Sequence, residues 1–397
     1  MDPSDRIALI SEEFPPFTIG GLAGICYDLA YSLSKRGIST TVFCGKSSRA
    51  QVQRVSKYLD VVRLPFLDLP PRHIWFQMRN FRSVLKMLRD HAIVHGVSTN
   101  SSAIFAPSAR KLRKPFVAHL QGSPRSERTA FLRCPVSYWS IGDFAFYVGE
   151  SPMNSYLLGL SLAYSDRIVS CSLSALSETR LAYPKVRWSK ATVLCNGINF
   201  DKLDSGATPA EEDGSLILHG RLFCIKGIIQ LLKAIAIVRR RFPRVKLKVY
   251  GRGPLRTRID TLIQKLGIAN NVLIQGYVSR ERIINEIRRA SVVVLPSFYE
   301  AQSMSVLEAM ACAKPVIALD LPFSRECIQD LRNGLLARPG DVQHLAEKIS
   351  LALSDNKLRF DLGRNAYEHV KTNHDWDLLV DQYIEMYDGM LGDDRNA

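Results

Sequence analysis

Two cations stand five residues apart in the stretch Leu218-His-Gly-Arg221-Leu222…Lys226-Gly227, just past an apolar run and at the start of a helical pattern. N–H groups at a helix N-terminus already favour an anion, and Arg221 with Lys226 beside them makes a clamp for a diphosphate. The plain alternative is a solvated Arg and an ordinary Lys at a helix start. A second stretch, 298–311, carries Glu300, Ser303, Met304, Ser305 and Glu308. The apolar run before it stops at Pro296, and a helical pattern opens near Ser303–Ser305, so the N–H groups of 303–305 precede a helix and suit phosphate. A carboxylate accepts two hydroxyl donors at once, which fits the vicinal hydroxyls of a sugar or ribose. Against that chemistry stands a structural reading, in which Glu308 pairs with an Arg and Glu300 is solvated.

Buried strands and helices must hold these residues in place. Arg6–Ile10 is a short apolar run ending in a Pro/Gly-rich loop, and a helix follows with Ile25, Leu29 and Leu33 as its stripe and Gly37 as its stop. The runs 40–44, 116–119 and 167–171 predict further buried strands. A polar, turn-rich stretch at 200–214 reads as a linker between domains. The alternation then restarts, with strands predicted at 216–219, 246–250, 272–275, 292–295 and 315–318, and helices between them at 227–240 and 256–266. Apolar runs alternating with helices imply parallel sheets covered on both faces. The fold class is therefore α/β, with two Rossmann-like, doubly wound domains facing each other across a crevice, and loops at the carboxyl ends of the strands line that crevice.

The bulk numbers narrow the function. A chain of 397 residues, 46% hydrophobic and 23% charged, has the composition of a globular protein of two domains. No apolar run reaches the length of a membrane span, and the N-terminus has no apolar signal core, so a cytoplasmic location is expected. Eight cysteines lie far apart without a C-x-x-C pair, as buried free thiols do. The net charge of +15 is concentrated in the first half, where residues 51–133 hold 15 Lys/Arg against 4 Asp/Glu. Such a surface calls for an anionic partner. Residues 72–91 place Ile74, Met78, Phe81, Leu85 and Leu88 on one helical stripe, with Arg79, Arg82, Lys86 and Arg89 beside it. A basic amphipathic helix of this kind can lie in a membrane interface, or can be a domain helix with its stripe in the core. Residues 110–114 add four more cations, and 131–164 is rich in aromatics.

Taken together, Gly220-Arg221-Leu222…Lys226-Gly227, Tyr250-Gly251…Gly253-Pro254, Gly276-Tyr-Val278 and Glu300…Glu308-Ala-Met-Ala311 resemble the retaining glycosyltransferases of family 4, which have the GT-B fold. Phe14-Pro-Pro16…Gly20-Gly21, Asp166-Arg-Ile-Val-Ser170 and Leu194-Cys-Asn196-Gly197-Ile198 agree, so the resemblance covers nearly the whole chain. It departs at Ala301 and Ser303, where the family often has Gly. It implies a domain at 1–199 that takes the acceptor, a nucleotide-sugar domain at 200–374, and a terminal helix (375–397) that crosses back onto the first domain. It further implies that Arg221 and Lys226 hold the donor diphosphate and stabilise the leaving group. Glu308 would hold the ribose hydroxyls and Glu300 a hydroxyl of the donor sugar, with the N–H groups of Ser303, Met304 and Ser305 on phosphate. The backbone at Val278 would meet the base, and Gly20 with Gly21 would let the N-terminal loop approach the phosphates. His119 matches the histidine that touches the sugar near the reacting carbon; a lone His in such a strand is otherwise a satisfied core residue.

The expected activity is transfer of a hexose from a UDP- or GDP-linked donor, with retention and no metal or other cofactor. Asp375-Trp-Asp377 spells the D-x-D of metal-dependent glycosyltransferases, but here it opens a helix, where a cap and a buried Trp are expected. The basic, aromatic first half points to a lipid-linked or phosphorylated acceptor. It suggests peripheral attachment to an anionic membrane on its inner face, through 72–91 and 110–114. The alternatives are the same chemistry on a soluble glycan, or a non-catalytic basic binding protein. No nucleic-acid module appears, so nucleic acid is not an expected partner.

Overall fold

The computed structural model describes residues 5–17, 21–47, 49–69, 71–203 and 209–395. The chain divides into two compact units, the first comprising Met1–Arg125, Glu150–Gly197 and Trp376–Ala397, the second Ser126–Gly149 and Ile198–Asp375. Among the described residues no helix is long and apolar enough to cross a membrane.

The first unit is built on eight strands: β1 (Arg6–Ile10), β2 (Ser39–Ser47), β3 (Gln51–Ser56), β4 (Leu59–Pro65), β5 (Ile93–Gly96), β6 (Phe116–Leu120), β7 (Arg167–Ser170) and β8 (Ala191–Val193). Their order is β3-β4-β2-β1-β5-β6-β7-β8, parallel throughout except for the antiparallel pair β3/β4 at one edge. The central strands are apolar without alternation, as burial on both faces requires, and Ile7 to Ile10 are fully buried. The helix Leu22–Lys35 buries Ile25, Cys26, Leu29 and Leu33. It stops where Gly37 turns to a φ of +79° and Ile38 N donates back to Leu33 O at 3.1 Å, the glycine-dependent closure of a helix end. The terminal helix Trp376–Arg395 buries Trp376, Tyr383 and Tyr387 in this unit. Arg36 Nε fastens it through Asp381 Oδ1 at 2.8 Å.

The helix Arg72–Met87 corrects one expectation. Its buried side chains are His73, Phe76, Gln77, Asn80 and Val84, whereas Met78 of the expected apolar stripe is 64% exposed. The reason is polar. Gln77 Nε2 donates to Asn100 O at 2.7 Å and Asn80 Nδ2 to Pro65 O at 2.8 Å. Each amide thus satisfies a backbone carbonyl, at the end of β4 for Pro65 and in the short helix Thr99–Ser102 for Asn100. Those bonds turn the helix so that Trp75, Met78, Arg79, Arg82 and Lys86 face solvent.

The second unit is a six-stranded, wholly parallel sheet: β9 (Ser215–His219), β10 (Lys246–Tyr250), β11 (Val272–Gly276), β12 (Val292–Leu295), β13 (Val316–Leu319) and β14 (Leu335–Ala337). The order is β11-β10-β9-β12-β13-β14. Helices Ile228–Val238 and Val342–Ser354 carry much of the core that covers it.

The sequence-based boundary differs from this division at one place. Residues 126–149, expected in the N-terminal domain of 1–199, belong to the second unit. Phe131 is fully buried there, its ring 5.4 Å from Trp139 and 5.6 Å from Phe146. Arg258 Nη1 donates to Trp139 O at 2.8 Å, and Lys233 Nζ to Tyr138 Oη at 2.7 Å. The aromatic richness of this stretch is therefore an apolar payload, not a connection. All eight cysteines are free thiols, six of them buried.

Candidate functional site

In the second unit the sheet winds away from β9 in both directions, with β10 on one side and β12 on the other. That is the switch point at which open parallel sheets bind ligands, outside the carboxyl ends of the strands. The loop after β9 carries Arg221 and Lys226. The loop after β12 carries Glu300 and leads into the helix Met304–Ala311. The motifs found in the sequence thus converge on one edge of one sheet.

Backbone hydrogen bonds lace these loops together. Gly220 N donates to Tyr250 O at 2.9 Å, Leu222 N to Arg252 O at 2.9 Å, Gly251 N to Gly276 O at 2.7 Å, and Phe298 N to Ile225 O at 2.7 Å. Such lacing needs close backbone approach. Gly251 has a φ of +146°, and a Cβ there would stand 1.8 Å from Gly220 O. A Cβ on Gly227, at φ +69°, would stand 1.9 Å from Pro296 O.

Within this frame Lys226 Nζ lies 2.6 Å from Glu300 Oε1, which also accepts from Ser297 Oγ at 2.8 Å. The two side chains are 19% and 18% exposed, so Glu300 is paired across the switch point and not merely solvated. Arg221 is exposed, with its guanidinium 5.3 Å from the Phe223 ring. Among the described residues no carboxylate pairs with it. The first bonds of the helix after Glu300 run from Val306 N and Leu307 N to Ser303 O, so the N–H groups of Ser303, Met304 and Ser305 precede the helical ladder. Ser303 also caps that helix through its side chain, which accepts from Val306 N. Glu308 is 9% exposed, and its Oε1 accepts from Arg280 Nε at 2.9 Å. The arginine pairing weighed above as the structural alternative is present, and one of the two carboxylate oxygens is held by it. Val278, past the end of β11, is half-buried against the core.

Three residues that the sequence did not single out belong to this edge. Arg280 is the partner of Glu308. His219, the last residue of β9, has its Nδ1 3.4 Å from Ser305 Oγ, and burial lowers its pKa, so it is neutral at pH 7. Asp143, fully buried, accepts from Cys224 N at 3.1 Å and from Ser140 N at 2.8 Å, tethering the loop of Arg221 and Lys226 from the 126–149 segment. The capping pattern Ser140-x-x-Asp143 was a legible signal. Its partner 81 residues away was not.

The first unit holds the remaining expected positions, Gly20, Gly21 and His119. Gly21 is the N-cap of the helix Leu22–Lys35 in ordinary right-handed geometry, φ −66°; Gly20 lies outside the described residues. His119, in β6, is fully buried, with Nδ1 3.2 Å from His95 Nε2 and Nε2 2.9 Å from the Gln121 amide. Both ring nitrogens are engaged, and burial pushes its pKa down to about 3. In the D-x-D stretch Trp376 is buried, and Asp375 Oδ2 accepts from Lys371 Nζ at 2.5 Å.

Comparison with known proteins adds the family. The sequence model of glycosyl transferases group 1 matches residues 200–369, and that of glycosyltransferase family 4 matches 19–202. An uncharacterised glycosyltransferase of Methanocaldococcus jannaschii is 25% identical over 96% of this chain and 97% of its own. Sucrose-phosphate synthase from Thermosynechococcus elongatus superposes with a TM-score of 0.79 at 22% identity, covering 98% of this chain and 99% of that one. An Anabaena protein solved with UDP-glucose superposes with a TM-score of 0.73 at 17% identity, over 97% of this chain and 99% of its own. The fold shared with these structures is GT-B.

Proposed function

The chain belongs to the glycosyltransferases of group 1 and family 4, and from that premise we propose that it moves a hexose from a nucleotide-diphosphate sugar to an acceptor hydroxyl with retention of configuration. The observation that carries the reading is the switch-point edge of the second unit. There a lysine paired with a glutamate at 2.6 Å, an exposed arginine and a helix start stand together. Arg221 and Lys226 take the diphosphate, and as the sugar–phosphate bond breaks they meet the charge growing on the leaving group. The N–H groups of Ser303, Met304 and Ser305 receive phosphate oxygens. Glu300, already oriented by Lys226 and Ser297, accepts a sugar hydroxyl, and Glu308, steadied by Arg280, accepts from the ribose. The charge-neutralising work falls to side chains and backbone, so no metal is required. The test is the anomeric configuration of the product by NMR, with and without chelator. Retention with undiminished rate is expected; an inverted product, or full dependence on added Mg²⁺ or Mn²⁺, overturns the reading.

The acceptor we propose is lipid-linked or phosphorylated, with the protein peripheral on the cytoplasmic face of an anionic membrane. Support comes from the outer face of the helix Arg72–Met87. Trp75 and Met78 are 40% and 64% exposed beside Arg79, Arg82 and Lys86, and exposed Arg110, Lys111 and Arg113 add charge in the same unit. Each such cation near an anionic surface contributes about 1 kcal/mol, fading within a Debye length. Four or five engaged cations therefore give reversible, salt-sensitive binding, with Trp75 and Met78 adding apolar contact. Co-sedimentation with phosphatidylglycerol vesicles should fall at high salt, and should fall again when Arg79, Arg82, Lys86 and Arg89 are all reversed to Glu. Binding that is absent, or indifferent to both changes, leaves the basic face a matter of solubility and favours a soluble acceptor.

A further inference from the structure

Inside the first unit five side chains form an unbroken hydrogen-bonded chain. Tyr387 Oη, on the terminal helix, lies 2.6 Å from His95 Nδ1 in β5. His95 Nε2 lies 3.2 Å from His119 Nδ1 in β6, and His119 Nε2 lies 2.9 Å from the Gln121 amide. That amide pairs reciprocally with the amide of Asn196, at 3.0 and 3.1 Å. His95, His119 and Tyr387 are fully buried.

Burial depresses the pKa of both imidazoles, so each ring is neutral. A neutral imidazole has one N–H and one bare nitrogen. Between two facing rings one must donate and the other accept, so only two proton arrangements satisfy the chain. The choice is made at its inner end. Burial keeps the Tyr387 phenol protonated, and among the described residues His95 Nδ1 is its one hydrogen-bond partner. The O–H therefore donates to Nδ1. His95 then carries its hydrogen on Nε2 and donates to His119 Nδ1, and His119 in turn carries its hydrogen on Nε2. In the structure the Gln121 nitrogen faces His119 Nε2, so this arrangement requires a half-turn of the Gln121 amide that presents its oxygen to the N–H, with a matching half-turn of Asn196 keeping the reciprocal pair. The opposite arrangement strands a buried phenol hydrogen, a fault that disfavours it by about tenfold or more.

We infer that Tyr387, acting through His95, is a positioning residue that fixes His119 as its Nε2–H tautomer, which donates to the Gln121 amide at rest and to a sugar hydroxyl oxygen once that amide is displaced. The step from tautomer to catalysis rests on the reading of His119 as the histidine that touches the sugar. The tautomer itself does not, and the two are tested apart.

The experiment uses the full chain labelled with ¹⁵N-histidine. Long-range imidazole correlations give the tautomers of residues 95 and 119, assigned with His95→Gln and His119→Gln. In the wild type both rings should be neutral with hydrogen on Nε2. In Tyr387→Phe, which keeps the packed ring and removes only the hydroxyl, that preference should be lost, and Nδ1–H should appear at His119. On the donor, kcat/KM should fall about tenfold, because one hydrogen bond to the sugar is lost. Hydrogen found on Nδ1 of His119 in the wild type overturns the inference, and so does an unchanged tautomer in Tyr387→Phe. The wild-type spectrum alone decides should the variant fail to fold. Full activity in His119→Ala would instead remove the sugar contact while leaving the tautomer result standing.

Discussion

Lys226→Ala and Arg221→Ala are each expected to lower turnover of the nucleotide-sugar donor about a hundredfold, the usual effect of removing one preorganised donor to developing charge. The two side chains reach that role differently. Lys226 is largely buried and held by Glu300 at 2.6 Å, so it is oriented in advance, and its loss also leaves Glu300 to Ser297 alone. Arg221 is exposed beside Phe223 and brings a planar guanidinium suited to two phosphate oxygens. If the leaving diphosphate is the target, kcat falls along with kcat/KM, since the contact strengthens as the bond breaks. A rise in KM at constant kcat would make the pair a ground-state anchor only. Wild-type kinetics in both variants would show that the diphosphate is held elsewhere.

The second large effect is in the backbone. Gly251→Ala should destabilise the second unit by about 3 kcal/mol or more, and Gly220→Ala by less. Both glycines have a strained φ for any other residue, +146° and +143°, which costs about 1–3 kcal/mol. They differ in surroundings. A Cβ on Gly251 stands 1.8 Å from Gly220 O, whereas one on Gly220 meets nothing within 4 Å. The difference between the two variants in denaturant unfolding therefore isolates the clash, expected at about 1–3 kcal/mol. Equal destabilisation would mean that the loops separate at no cost, and that the switch-point edge is not laced as described.

The sequence by itself determined the pieces that depend on neighbours along the chain. Apolar runs too short for helices and unbroken by polar residues are buried parallel strands, so β1, β9 and β12 were legible to within a residue or so. A glycine at the stop of a helix, a proline after a strand, and a serine before a helical stripe fixed the ends of elements, and with them the loops that carry Arg221, Lys226 and Glu300. Charge could be counted but not aimed. Of the stripe Ile74, Met78, Phe81, Leu85 and Leu88, Leu88 is buried and Phe81 packs on the core, while Met78 is turned outward as Gln77 and Asn80 find carbonyls at Asn100 and Pro65. No periodicity encodes that, because the partners lie 15 and 23 residues away.

Tertiary structure alone decided the rest. Residues 126–149 read as part of the first domain because the chain is continuous, yet an aromatic cluster and Asp143 bind them to the second. Glu308 could be weighed for a ribose or for an arginine, and only the fold could say that Arg280, 28 residues away, is at its side. His119 could be placed on a strand end, but not in a chain whose inner terminus is a tyrosine 292 residues from its nearest partner, His95. Local physics, set by backbone sterics and the 2- and 3.6-residue periods, writes elements into sequence. The choice among polar partners in a dry interior is made by whichever donor or acceptor the packed chain brings within about 3 Å, and that is a property of the fold.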